Sequence, residues 1–409
     1  MTFLPLGDVR VLDLTSSLAG PYCTEILAAF GADVVKVEHP QRGDEARAWG
    51  PPFFPGGSAL FFAANAGKRS LALDLKAPAG REALLRLVDG ADVLLQSMRP
   101  GAAERLGLGP AAVRARNPRL VYCSIGAYGR SGPLRDLPGY DPLMQAHAGL
   151  ISVTGEPDRP GVRVGASVVD QTTGMWAALA ILAALRERDA TGRGREVDVA
   201  LYETALALVG YHLVEALATG RPPGRHGTAF PLIVPYEVFA TADGELMIAA
   251  ANDGLFARLC AALGLPDLAD DARFATNPLR VRHRAELIPR LERRLAEEPS
   301  ATWVERLRAA GVPVAPVQDL VEVAEDEQTR ALGILHELGG MTAVGPPLVV
   351  DDDRVPFRLP PPLLGEHSAD VLREGGYADE DIAALAATGV VRLGRGGSVP
   401  DAPDRRSAT

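Results

Sequence analysis

The amino-acid sequence predicts an α/β protein, with a parallel sheet covered by helices on both faces and a smaller α+β domain. Three observations carry this expectation. In the first third, near-continuous apolar strands alternate with short helical segments, the pattern of βαβ units. The chain has 409 residues, 47% of them hydrophobic, which is enough for a large core and for two domains. Beyond a stretch rich in glycine and proline, the pattern changes to a hairpin followed by helices.

Element by element, residues 9–14 (VRVLDL) read as a buried strand. A helix follows over 20–32, with Pro21 near its start and Gly31 closing it. Strands follow at 33–38 (DVVKVE), 70–75 (SLALDL), 92–97 (DVLLQS) and 120–125 (LVYCSI). Helices are expected over 77–90 and, briefly, after Pro100. Right-handed crossovers between such strands build a Rossmann-like sheet. Residues 191–220 add a strand and a buried helix, and 236–250 a hairpin around Asp243-Gly244. Helices are expected from Leu255, Arg280 and Ala301, and two short amphipathic ones lie in 361–391. The expected organisation is a large domain over 1–220, a linker or mobile loop over 221–235, and a small domain over 236–325. A segment over 326–391 returns to the large domain, and 392–409, rich in Gly, Pro, Ser and Arg, reads as a disordered tail.

The formal net charge of −10 speaks against non-specific nucleic-acid binding, which needs a basic surface. Cys23, Cys123 and Cys260 are odd in number and far apart, which fits a reducing compartment and hence the cytoplasm. No signal peptide is read at the N-terminus. The longest apolar run, Met175–Leu185, is short of the roughly 20 residues that span a membrane, so no membrane partner is expected.

Several chemistries lack their motifs. The first strand is followed by TSSLAGP rather than G-x-G-x-x-G, which argues against a dinucleotide site. FAANAGKRS lacks the first glycine of a phosphate loop. GASVV lacks the closing glycine of a nucleophile elbow, so Ser167 has little support as a hydrolase nucleophile. The seven histidines show no metal spacing; they read as surface or packing residues, and no metal is expected.

Two features remain. The loops following the first four strands fall on the carboxyl edge of the sheet, where such folds bind ligands. They carry His39 and Arg42, then Lys76, then Ser97, Met98, Arg99 and Arg105, a distribution by which an acidic protein can hold a polyanion. The second feature is Asp170, between a small, β-branched run and the long apolar helical stretch 171–189, which reads as buried. Two readings stay open: an N-cap, and a carboxylate that stays ionised at a buried helix N-terminus and acts as a nucleophile.

The segments LAGPYCTEILAAFGADVVKVE, GKRSLALDLK, RPGAAERLGL, GYDPLMQAHAGLISVTG, VVDQTTGMWAALAILAAL and PLLGEHSADVL occur in this order. Together they resemble the class III CoA-transferases, the CaiB–BaiF family that includes formyl-CoA transferase and α-methylacyl-CoA racemase. The resemblance runs from about Leu6 to Val391. It implies that Asp170 is the nucleophile of a CoA transfer running through mixed-anhydride and aspartyl-CoA intermediates, with backbone N–H groups at the helix start stabilising the oxyanion. An acyl-CoA is implied as substrate, and no permanent cofactor. Carried over by position, it assigns CoA contacts to Leu18, Ala19, His39, Leu73, Lys76, Ser97, Met98, Arg99 and Arg105. Tyr140 and Asp141 match residues near the reacting thioester. Two departures stand out: His39 replaces a frequent arginine, and Pro138 a lysine. The resemblance also implies a homodimer of two interlocked rings.

The racemase branch needs two acid–base groups and carries histidine in the middle of the motif that reads Gly139-Tyr140-Asp141 here. An ordinary tyrosine titrates near pH 10, which favours transfer over racemisation. A CoA-binding protein without turnover is disfavoured by the presence of Asp170. Arg225 or His226 in the loop GRHGTAF is expected to meet the second carboxylate of a dicarboxylic substrate.

Overall fold

The computed structural model describes residues 3–394, which form two compact units. The first comprises residues 3–149, 164–210 and 332–394. Its sheet contains β1 (Arg10–Leu14), β2 (Asp33–Glu38), β3 (Lys68–Leu73), β4 (Val93–Gln96), β5 (Val121–Gly126) and β6 (Glu196–Ala200). These six are parallel, in the order β3-β2-β1-β4-β5-β6, and a short strand, Val391–Arg392, pairs antiparallel with the β3 edge.

Alternation along each strand divides its side chains between two cores. Val11, Val34, Val93 and Val121 face the helices α1 (Ala19–Ala29) and α4 (Val168–Thr191). Leu12, Val35, Leu94 and Tyr122 face α2 (Pro78–Asp89) and the C-terminal helices Ser368–Glu374 and Asp379–Ala387. Two further helices of this unit are α3 (Asp141–His147) and α5 (Leu201–Leu208). The chain moves outward from β1 in both directions, so β1 and β4 flank the switch point, the customary ligand crevice of such sheets.

The returning segment is tied to β3 by backbone groups and serine hydroxyls. Gly365 N donates to Ser70 Oγ at 2.9 Å, His367 N to Ser70 O at 3.0 Å, and Ala72 N to Ser368 Oγ at 3.1 Å. Gly365 has φ +73°, and a Cβ there would lie 2.6 Å from Arg392 O. Only glycine fits that turn.

The second unit comprises residues 150–163 and 211–331. It has an antiparallel sheet of β7 (Tyr236–Ala240), β8 (Glu245–Ala249) and β9 (Val314–Pro316). Phe239, Phe256, Phe274 and Trp303 fill its core. The sequence reading missed β9, three residues ending in proline, too short to show alternation. One helix expected from Arg280 is two, Asn277–Arg282 and Arg284–Leu295, separated at His283.

The structure departs from other expectations. Besides 211–220, residues 150–163, which the sequence reading also placed in the large domain, belong to the second unit together with 221–235. The two segments are hydrogen-bonded: Arg225 donates to the carbonyls of Glu156 (3.1 Å), Pro157 (3.3 Å) and Arg159 (2.7 Å), and Gly227 N to Gly155 O (2.9 Å). The return to the first unit begins at Leu332 rather than 326. Arg392, expected in a disordered tail, is a strand residue; of that tail, 395–409 lie outside the described residues. Helix α4, expected to be buried, exposes about half of Met175, Trp176 and Leu179. At 24 residues it is also long and apolar enough to cross a membrane by length and composition. Here Val169, Ala177, Ala178, Ile181, Ala184 and Leu185 pack in the first core, and Arg188 pairs with Asp92 at 2.6 Å.

Candidate active site

The carboxyl edge of the sheet is built around the turn after β1. Its first three N–H groups are each held by a side chain from a different place. Thr15 N donates to Asp13 Oδ1 (2.9 Å), Ser16 N to Ser97 Oγ (3.2 Å) and Ser17 N to Asp44 Oδ1 (3.0 Å). The Ser16–Ser97 bond joins the loops after β1 and β4 across the switch point. The turn then enters α1 at Ala19. A Cβ on Gly20 would lie 2.3 Å from Thr15 Cβ, so the tight entry requires glycine.

Helix α4 crosses α1 at Gly174. A Cβ there would lie 2.6 Å from Ala19 O and 3.1 Å from Cys23 N. Asp170 lies one turn earlier on the same face of α4. It is the third residue of the helix; Ser167 is the N-cap and makes no side-chain cap bond. The N-cap reading of Asp170 is therefore incorrect. The capping oxygen comes from Asp141 at the start of α3. Asp141 Oδ2 accepts from Val169 N (2.8 Å) and Asp170 N (3.2 Å). Asp141 is 1% exposed, and Gln145 orients it: Gln145 Nε2 donates to Asp141 Oδ1 at 2.6 Å, and Gln145 Oε1 accepts from Val164 N at 2.9 Å.

Two consequences follow. Val168 N donates to Ala166 O and Gln171 N to Ser167 O, so the first four N–H groups of α4 are all taken. The oxyanion donors expected at this helix start are not free there. The Asp170 carboxylate itself meets no hydrogen-bond donor among the described residues. Burial, and then repulsion from Asp141, push its pKa up to about 7. The expectation that it stays fully ionised is thereby corrected: the favourable helix end is outweighed by desolvation and by a second carboxylate.

Beneath the turn lies a buried charge cluster. Lys36 pairs with Asp44 (2.7 Å), Lys68 with Asp13 (3.2 Å) and Arg47 with Glu38 (2.7 Å). Burial opposes ionisation of Asp13, but Lys68 and Lys36 outweigh it and hold its pKa well below the usual range. Burial likewise opposes the charge on Lys36, and Asp44, Asp13 and Glu38 outweigh it, raising its pKa. Glu25 is pushed up to about 8 by burial, against the pull of Lys68 and the Ala66 N–H. Burial pulls Lys68 down to about 8, against the pull of Asp13; three buried carboxyl groups thus pair with three buried basic groups.

The residues singled out from the sequence separate into three groups. Arg99 and Lys76 are exposed on the loops after β4 and β3, and Arg105 is exposed at the end of the short helix Ala102–Arg105. Ser97 and Met98 are partly exposed; Ser97 binds the β1 turn, and Met98 N donates to Gln96 Oε1 at 2.7 Å. Leu18 and Ala19, 8% and 7% exposed, stand at the mouth of α1. Tyr140 is 49% exposed, with its ring 6.3 Å from that of Trp49 in an edge arrangement. Leu73 is 1% exposed within the second core, paired with Val391, so its side chain is not available to a ligand. His39 turns Nδ1 toward its own loop, accepting from Gln41 N (3.2 Å) and Arg42 N (3.4 Å). Burial and the Arg42 charge lower its pKa, which disfavours the charged ring. Asp141 is a buried support rather than a surface contact. Arg225, expected to meet a substrate carboxylate, is committed to three carbonyls.

Comparison with known proteins decides the family. The profile of CoA-transferase family III matches residues 6–368. The chain belongs to CoA-transferase family III. It is 39% identical over 386 residues to a succinate–glutarate CoA-transferase of Agrobacterium fabrum, covering 90% of this chain and 95% of that one. It is 38% identical over 393 residues to a succinyl-CoA:glutarate CoA-transferase of Mus musculus, covering 95% and 90%. The crystal structure of a CaiB/BaiF family protein from Brucella suis superposes with a TM-score of 0.84 at 37% identity, covering 91% of this chain and 99% of that one. The protein is thus an enzyme, a CoA-transferase, and a CoA thioester is its substrate.

For this CoA-transferase, sequence reasoning missed the helix cap by Asp141, the Trp49–Tyr140 contact and the buried ion pairs. A signal for one of the last was present: Lys36 sits between valines inside a strand, where an unpaired cation is not tolerated. Among the described residues, no group of three or more His, Cys, Asp or Glu side chains could hold a metal ion.

Proposed function

We propose that the enzyme moves CoA from an acyl-CoA thioester to a free carboxylic acid by covalent catalysis on Asp170. The observation that carries this is the Asp170 carboxylate: unpartnered, partly buried on a rigid helix, and poised near neutrality by burial and Asp141. Its oxygen attacks the thioester carbonyl; the C–S bond breaks and CoA leaves as thiolate, giving a mixed anhydride. The thiolate attacks the aspartyl carbonyl; the anhydride C–O bond breaks, releasing the donor acid as carboxylate and leaving an aspartyl-CoA thioester. The acceptor carboxylate then attacks that thioester, and the same two steps in reverse deliver its CoA ester and restore Asp170. No net proton is consumed.

With the N–H groups of α4 occupied, we assign oxyanion stabilisation to the start of α1. There the first helical bond is Tyr22 N to Leu18 O, and the N–H groups of Ala19 and Gly20 have no acceptor among the described residues. Arg42, Lys76, Arg99 and Arg105 suit the CoA phosphates. Since curated relatives are named for succinate and glutarate, a dicarboxylic acid is the acceptor class to test first.

The exposed Met175, Trp176 and Leu179 on α4, and Val214, Leu217, Leu320 and Val321 in the second unit, are apolar surfaces of the kind covered in an obligate homodimer. The interlocked-ring dimer accounts for them; a folded monomer at micromolar concentration would contradict it. Cys23, Cys123 and Cys260 are free and buried, which accords with a reducing, cytoplasmic setting.

The test is the mass of the intact protein and of its peptides after mixing with succinyl-CoA. A CoA-sized adduct on the peptide containing Asp170, absent in Asp170→Ala, is expected. No adduct with any acyl-CoA donor, together with exchange of the α-proton in deuterated solvent, would replace transfer by racemisation.

A further inference from the structure

Ser17 has φ +69°, a left-handed conformation that a side chain other than glycine or asparagine rarely adopts. It occurs in the turn that enters α1, at the switch point of the sheet. Such strain persists only where the surroundings over-determine it, and here they do. Asp44 Oδ1 accepts Ser17 N at 3.0 Å, and Ser17 Oγ donates to Glu45 Oε1 at 2.6 Å. Asp44 is itself held. Its other oxygen pairs with Lys36 at 2.7 Å, its N–H donates to Glu38 Oε2 at 2.9 Å, and Oδ1 also accepts Ala46 N at 2.9 Å. Lys36 Nζ reaches past the pair to donate to Thr15 O at 3.1 Å, so one ammonium grips both the turn and the carboxylate that grips the turn. The side chains of Lys36 and Asp44 are both fully buried, where an ion pair has little freedom and neither partner can be lost without leaving a bare charge.

We propose that Lys36 and Asp44 are positioning residues for acyl-CoA binding. The buried pair locks Ser17 in its left-handed conformation, and that conformation fixes where Leu18, Ala19 and the first N–H groups of α1 present themselves. The inference rests on the reading that this turn faces CoA. It predicts that the pair governs affinity for the CoA portion and leaves recognition of the acceptor acid alone.

The experiment measures the Kd of CoA itself by calorimetry on the full-length enzyme, with steady-state kinetics using succinyl-CoA and glutarate. Ser17→Val, whose β-branch disfavours positive φ, tests the conformation at a partly exposed site. Ser17→Gly keeps positive φ accessible and loses only the Glu45 bond. The expected result is a rise in the Kd of CoA of about tenfold or more in Ser17→Val and a rise less than a third as large in Ser17→Gly. Lys36→Met raises KM for succinyl-CoA by at least as much as Ser17→Val, with little change in KM for glutarate, and Lys36→Arg recovers most of the loss. Equal CoA affinity in Ser17→Val, Ser17→Gly and the unaltered enzyme overturns the proposal. So does a Lys36→Met loss spread equally over both substrates and tracking thermal stability. The calorimetric reading does not depend on turnover. Weakened CoA binding in an enzyme that forms no Asp170 adduct would leave the positioning role standing and remove the transfer mechanism.

Discussion

The buried carboxylate of Asp141 accepts the backbone N–H of Asp170 at 3.2 Å and so caps the helix whose first turn carries a second carboxylate. One acid thereby places the other and raises its pKa. In the proposed mechanism Asp170 attacks only when ionised, so kcat/KM is expected to climb with pH through an acid limb near 7. Asp141→Asn removes the like charge while retaining an acceptor oxygen. The acid limb is expected to move about one pH unit lower. A pH–rate profile of both proteins checks this; an unmoved limb would assign the limb to another group.

Asp170→Asn keeps the shape of the site and removes the proposed nucleophile. A fall in kcat of at least about a thousandfold is expected, with the Kd of CoA changed little. Stopped assays with succinyl-CoA and calorimetry on the same preparation measure the two quantities.

Gly174 is the contact point of α1 and α4. Gly174→Ala puts a methyl group 2.6 Å from Ala19 O, a backbone atom that cannot yield without moving the helix. Overpacking of this kind costs about 1–3 kcal/mol. Activity should fall with stability, because Ala19 stands at the end of α1 that is proposed to face CoA. Urea unfolding and kcat/KM on the same variant make the comparison. A stable, fully active variant would show that the helices separate freely.

The large sheet was legible because strands buried on both faces read as apolar runs, and the βαβ rhythm leaves one economical topology. Val11 and Leu12 point to different cores, yet both are apolar, so neither core could be missed. Asp170 was legible as an isolated carboxylate before an apolar helix. Its cap was not, because Asp141 lies 29 residues upstream and its partners are backbone N–H groups, which leave no mark on the sequence. The burial of the Leu73 side chain was hidden for a related reason. Position in a motif placed it near the ligand edge, but strand alternation turns its side chain inward. The exposure of Met175, Trp176 and Leu179 was hidden by composition, since a helix apolar all round reads as buried.

Glu25 makes stability depend on pH in a stated direction. Its carboxyl titrates near its ordinary value of 4.5 in the unfolded chain and at about 8 in the folded one. Between those values the unfolded chain gives up the proton and the folded chain keeps it, so stability falls as pH rises from about 4.5 to about 8. Glu25→Gln has no proton to lose and keeps an acceptor for Ala66 N, which Glu25 Oε1 binds at 2.9 Å. The loss of stability between pH 5 and pH 8 is expected to shrink by roughly 2–4 kcal/mol in the variant. Urea titrations at the two pH values decide it.

Arg225 offers the last test, because its geometry sets two roles apart. An arginine that met the second carboxylate of a dicarboxylic acceptor would present a free guanidinium, a planar fork matched to that group. Here the guanidinium donates to the carbonyls of Glu156, Pro157 and Arg159, closing a turn within the second unit. Nearby, Gly227 N donates to Gly155 O at 2.9 Å, so the two segments are zipped at more than one point. Arg225→Ala should therefore loosen this turn for every acceptor alike. The expected outcome is a fall in kcat/KM of about three- to tenfold, the same for glutarate as for a monocarboxylate such as butyrate, since lost positioning costs about 1 kcal/mol without regard to the acid. A loss confined to glutarate would show that the guanidinium leaves the carbonyls to bind substrate.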